Sequence, residues 1–194
     1  ARLAAGEQLV RASKLKALSK PDDVALARAG VLTEWRVSAP WSKEPLVGLG
    51  RTLGPESVPL KERDDIPLGY TNESRSSSMM ITSDGEIYFY ELPQSGGVGF
   101  AQTLLRFTGT PLNRRIVLVA ETNRPTHIFL NGVRVLALHD SQLTEGWTQR
   151  VELLLPEQGG LLSVKMASED GSGFVRVRAL SSAGGKLVSV DPVT

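Results

Sequence analysis

Three residue types that build hydrolytic centres stand together at His139-Asp140-Ser141. A triad needs its nucleophile, base and orienting acid to meet at one reacting atom, and chain neighbours do not converge that way. No G-x-S-x-G elbow occurs anywhere in the sequence. The stretch therefore reads as a polar loop. The other histidine, His127, lies on an alternating run with Phe129, and the two lack the paired spacing of zinc ligands. Acidic groups at Glu62 with Asp64 and Asp65, Asp84 with Glu86, and Glu169 with Asp170 follow no calcium-loop pattern and read as solvated turns. "GGVG" and "GSG" lack the lysine and hydroxyl of a phosphate-binding loop. The expectation is a chain without catalytic residues, metal or cofactor.

Binding chemistry has more to work with. Sugar rings stack on Trp or Tyr faces, and Trp147 stands in a turn region, "TEGWTQ". A second candidate comes from the hairpin "THIFLNGVRVLAL", whose two alternating runs meet at Asn131-Gly132. A two-residue turn there sets Ile128 against Val135 and Leu130 against Val133 on one face. His127 against Leu136 and Phe129 against Arg134 then form a semi-apolar patch on the other, suited to a protein partner. The candidate site is thus Trp147, His127, Phe129, Arg134 and Leu136.

Bulk properties narrow the partners. The 194 residues carry a net charge of +1, and Arg114-Arg115 with Arg176 and Arg178 are too few for a nucleic-acid surface. No run of about 18 apolar residues is present, so no helix is expected to span a bilayer. The absence of cysteine removes disulfides, thiol nucleophiles and iron–sulfur ligation together. The chain opens on Ala1 rather than methionine and reads as processed or as part of something longer.

Positioning elements follow from periodicity. Residues 1–30 are rich in alanine, leucine and lysine and predict two short helices, the second started by Pro21, Asp22 and Asp23 and stopped at Gly30. From Val31 the period becomes two. "VLTEWRV" is the first strand, with Pro40 ending its pairing, and a long polar connection fills about 42–78, wraps a surface or carries a contact, and leaves room for short strands. Short strands resume at "SMMIT" and recur at close spacing to "KLVSV", which indicates an all-β sandwich or barrel. Val151, Leu153 and Leu155, Leu162, Val164 and Met166, and Val175 and Val177 each share an inward face. Glu152, Lys165, Arg176 and Arg178 point the other way.

"LTEWRVSAPW" resembles the W-x-V-x-G-P-F segment that opens certain bacterial β-sandwich modules, with Ala39-Pro40-Trp41 in place of Gly-Pro-Phe. "GFAQTLLRF", "IVLVAETNRPTHIFLNGVRVL" and "TQRVELLLPEQGGLLSVKMASEDGSGFVRVRAL" continue the likeness over about Val31 to Val190, although "EQGGLLSVK" lacks the asparagine of the family's G-x-N turn. The pattern is similar to the galactose-binding-like jelly roll of exported bacterial proteins, a module that commonly follows tetratricopeptide-type helical repeats. The resemblance implies a jelly-roll β-sandwich with a helical lead-in, Trp35 and Trp41 packing the sandwich against that lead-in. The helical lead-in, the long proline-rich loop and the outer-face patch point to a non-catalytic subunit of a larger exported assembly on the outer side of the cytoplasmic membrane, binding other protein subunits through the sandwich face, that loop and the N-terminal helices. A carbohydrate-binding module is the alternative.

Overall fold

A computed structural model describes residues 30–68, 71–82, 85–89, 92–139, 147–181 and 186–192. The two lead-in helices expected over residues 1–30 lie outside this set except for Gly30. Among the described residues the chain is all-β, with two main antiparallel sheets forming a sandwich.

The larger sheet is ordered β4 (Ser78–Ile81), β1 (Glu34–Ser42), β6 (Gly97–Thr108), β11 (Gly160–Ser168), β8 (Thr126–Leu130), β9 (Val133–Leu138). A further strand, β13 (Lys186–Val190), pairs with the second half of β6, whose first half pairs with β1. The smaller sheet is ordered β10 (Trp147–Leu154), β7 (Arg115–Thr122), β12 (Phe174–Ser181), β5 (Glu86–Tyr88). From β6 onward the chain passes repeatedly between the two sheets, so each supplies one wall of a shared core.

That core is what the two-residue period dictates. One row of the large sheet reads Val37, Ala101, Val164, Ile128, Leu136, and every member is buried in the main cluster. Facing it are Ile116, Leu118 and Ala120 of β7 with Val175, Val177 and Ala179 of β12. Burying each large aliphatic contributes about 1.5–3 kcal/mol, so this interior accounts for the choice of sandwich.

One expectation needs correction. Pro40 does not end the first strand. β1 runs on to Ser42, and its pairing with β6 skips from Ser38↔Phe100 to Ser42↔Val98. A residue without an N–H fits in such an irregularity, where no ladder bond is asked of it. The connection over 42–78 does contain the short strands its sequence allowed, with helical turns besides. It holds a helix α1 (Pro45–Gly50), a 3-10 turn (Gly54–Glu56) and a hairpin of β2 (Arg63–Leu68) with β3 (Thr71–Ser76). Trp35 sits in the main core and Trp41 in a separate cluster with Leu49, Leu60, Val98, Phe100 and Ala167, while the helical lead-in they were expected to pack against lies outside the described residues.

Candidate functional site

The hairpin forms where Asn131-Gly132 requires it, with φ of 50° and 79° at the two turn residues, as a tight turn of this hand demands. Its strands are not in uniform register. Phe129 pairs with Arg134 as expected, but Ile128 pairs with Leu136 and His127 with Ala137, leaving Val135 as the extra residue of a bulge. A one-residue slip turns a side chain to the opposite face. Leu136 accordingly joins the core instead of the outer patch. Of the remaining patch residues His127 and Phe129 are buried and Arg134 is exposed. Trp147 opens β10, and its side chain lies outside the described residues.

Over β6, β11 and β8 the outer face of the large sheet is closed because the chain between β1 and β2 crosses it. Two rows run under this strap of residues 44–62 and emerge at the exposed Arg134. One reads Ser38, Phe100, Lys165, His127, Ala137, and the next Arg36, Gln102, Ser163, Phe129, Arg134. Leu49, Leu53 and Leu60 of the strap meet Trp41 and Phe100, whose rings lie edge to face at 5.8 Å.

An irregular backbone laid on a sheet brings polar groups that must find partners. The side chains beneath supply them. Gln102 accepts from the Leu60 N–H at 2.6 Å and donates to the carbonyls of Val58, at 2.9 Å, and Pro55. Lys165, wholly buried, donates to the Arg51 carbonyl and, at 2.7 Å, to Glu56. The same Glu56 oxygen accepts the Leu53 N–H and closes the 3-10 turn. Burial lowers the Lys165 pKa, while its hydrogen bond and charge contact with Glu56 raise it; burial prevails. Glu56 is thus the counter-charge that keeps a cation inside.

The two histidines, twelve residues apart, come together. Their rings stand 4.9 Å apart at 76°, with His127 buried and His139 exposed. Burial holds the His127 pKa down to about 4, helped by the positive charge of Arg134, by His139 and by Lys165, with a hydrogen bond to the Leu49 backbone acting the other way. Its Nε2 has no hydrogen-bond partner. Asp140 and Ser141 of the His139-Asp140-Ser141 stretch lie outside the described residues. Among the described residues no group of three or more histidines and acids gathers in one place.

On the smaller sheet the outer face is likewise charged and paired. Arg176 is buried between Glu86 and Glu121, the latter at 2.9 Å. At one end of the sandwich Arg124 bonds Asp170 at 2.6 Å and the Ser172 carbonyl at 3.0 Å. The hydroxyl and N–H of Ser172 hold the Asp170 carboxyl well below the usual range. These acids are tied to neighbouring side chains rather than grouped for calcium.

Inspection of the sequence missed Gln102, Glu56 and Lys165 as the fittings of a closed face. A signal was present: Leu49, Leu53 and Leu60 recur in an otherwise polar, proline-bearing connection, and apolar residues there need something to lie on.

No family model matches the chain, and no curated protein matches it. Among solved structures, a β-glucosidase from Kluyveromyces marxianus in complex with glucose is similar over 77% of this chain and 17% of its own, at 8% identity and a TM-score of 0.47. The selenomethionine-labelled form of that enzyme gives 77%, 16%, 8% and 0.47. This chain therefore spans less than a fifth of those enzymes, and a likeness at that level carries no argument about activity.

Proposed function

We propose that this chain is a non-catalytic interaction module of jelly-roll type that docks a protein partner within a larger assembly. The observation that carries the reading is the two-sidedness of the strap. Its inner side is fastened by Gln102 and Lys165, while its solvent side presents Leu46, 59% exposed, with Val47 and Val58 each at 51%. Val133 is exposed beside it, since Gly132 lies against Ser57. Single exposed aliphatics are ordinary. Three on one firmly anchored segment make a preformed contact surface, which saves a partner the cost of ordering it. Passage of the chain between two sheets supports the jelly-roll part of the reading. The buried charges support the non-catalytic part, because Lys165 and Arg176 are each committed to carboxylates that hold the fold together.

Sugar binding has less behind it. The stacking faces of Trp35 and Trp41 are inside the protein, which leaves that reading to Trp147.

The test is native mass measurement of the full chain in extracts of its own cells, with the triple variant Leu46→Glu, Val47→Glu, Val58→Glu beside the wild type. The reading expects a heteromeric complex for the wild type and its loss for a folded triple variant. Wild-type chain found only free of other proteins, or a complex indifferent to the three charges, would overturn it.

A further inference from the structure

One ring nitrogen of His127 is inside the protein with nothing to bond. The residue is 4% exposed, and its Nε2 is buried without a hydrogen-bond partner. Its hydrogen bond to the Leu49 backbone favours the protonated ring, so the ring is the donor there, and the donating nitrogen is Nδ1. That bond fixes the tautomer in which Nε2 keeps its lone pair. An acceptor left open inside a native fold calls for a reason, such as an ion that it holds. A ring that donates one nitrogen to a backbone carbonyl and offers the other is how metal-ligating histidines are oriented.

A second imidazole stands beside it. With Ala137 directly opposite His127, His139 is the diagonal neighbour on the same face, and the small Ala137 side chain leaves room between the rings. The ring centres are 4.9 Å apart. An ion about 2.1 Å from one nitrogen of each ring lies about 3.2 Å from either ring centre. Centres at 4.9 Å then subtend about 100° at the ion, between the roughly 90° of a tetragonal and the roughly 109° of a tetrahedral centre. His139 is exposed, so its ring turns readily to present a nitrogen and opens the way in from solvent.

We propose that His127 and His139 together bind one divalent transition-metal ion, with water in its remaining positions. Among the described residues no third histidine or acid joins them, which favours ions that accept imidazole over Mg2+ and Ca2+, which take oxygen ligands. Of the ions that imidazole suits, Cu2+ should bind more tightly than Ni2+ or Zn2+. Two cations stand near. The charge of Lys165 is balanced by Glu56 at 2.7 Å, and that of Arg134 is exposed and screened by water. The twelve-residue spacing, unlike that of a zinc motif, is bridged by the hairpin and its bulge. Metal binding here and partner docking on the strap are separate, and loss of either leaves the other standing.

The test is calorimetric titration of the full, tag-free chain with Cu2+ near neutral pH, with electron paramagnetic resonance of the bound ion. These are the chain's only two histidines, so imidazole-bound copper reports on this pair alone. The wild type should take up one equivalent and show two imidazole nitrogens. His139→Ala should weaken binding at least about tenfold and lose one nitrogen, with an unchanged circular-dichroism spectrum. His127→Gln should do the same, and if it disturbs the fold, His139→Ala, which alters an exposed residue, decides. A wild type that takes up no equivalent, or a folded His139→Ala variant that binds copper as tightly as the wild type, would overturn the inference.

Discussion

The two faces of the middle strands of the large sheet are both buried, by opposite means. Toward the small sheet, Val37, Ala101, Val164, Ile128 and Leu136 meet other apolar side chains, and nothing in the row needs a polar partner. Toward the strap, Phe100, Lys165, His127, Gln102 and Ser163 meet irregular backbone, so each carbonyl and N–H brought in has to be answered by a side chain. The first face is held by area and tolerates changes of shape at modest cost. The second is held by a few specific bonds and is correspondingly fragile toward loss of one partner. A closed polar face also moves the proposed docking surface from the sheet to the outside of the strap.

This contrast breaks most sharply at the buried ion pair. Glu56→Ala strands the Lys165 ammonium inside and should cost about 3–5 kcal/mol in denaturant unfolding. Adding Lys165→Met removes the stranded charge and should recover most of the loss, giving a large coupling in a double-mutant cycle. Additive effects of the two changes would mean that the strap is held by its leucines alone.

His127 sharpens the contrast through pH. With its pKa at about 4 in the folded chain against 6.5 unfolded, the unfolded state binds more protons between those values. Stability from this group is therefore whole above about pH 6.5 and falls by up to about 3 kcal/mol as pH drops to 4, with no further loss below. In His127→Gln that part of the pH slope should vanish. An unchanged slope in the variant would show the ring to be solvated and the face open.

Much of this architecture was legible in advance. The alternation after Val31 located the strands from β6 onward closely, the Asn131-Gly132 turn was correctly read, and Leu162, Val164, Met166, Val175 and Val177 do face inward. The orientation of Lys165 and Arg176 was right as well, but outward from the sheet did not mean exposed: Lys165 lies under the strap and Arg176 between Glu86 and Glu121 of the neighbouring strands. Period-two patterning reports which side of a strand a residue takes and is silent on what lies over that side. The bulge at Val135 was hidden for a related reason. Val135 and Leu136 are both apolar, so either suits the core, and only the pairing with Ile128 decides. The proximity of the histidines was hidden with the bulge: in the bulge-free register His127 opposes Leu136 and residue 139 falls on the other face, and only the shift to His127 opposite Ala137 brings His139 to the same side.

The central claim is that the strap is part of the folded body and seals the outer face. Amide hydrogen exchange at Leu60, whose N–H is held by the buried Gln102, tests this most directly. Protection within about tenfold of that at Val164 in the middle of β11 is predicted, because the strap should open only with the sandwich. Exchange of Leu60 at the rate of an unstructured loop, with Val164 still protected, would contradict it.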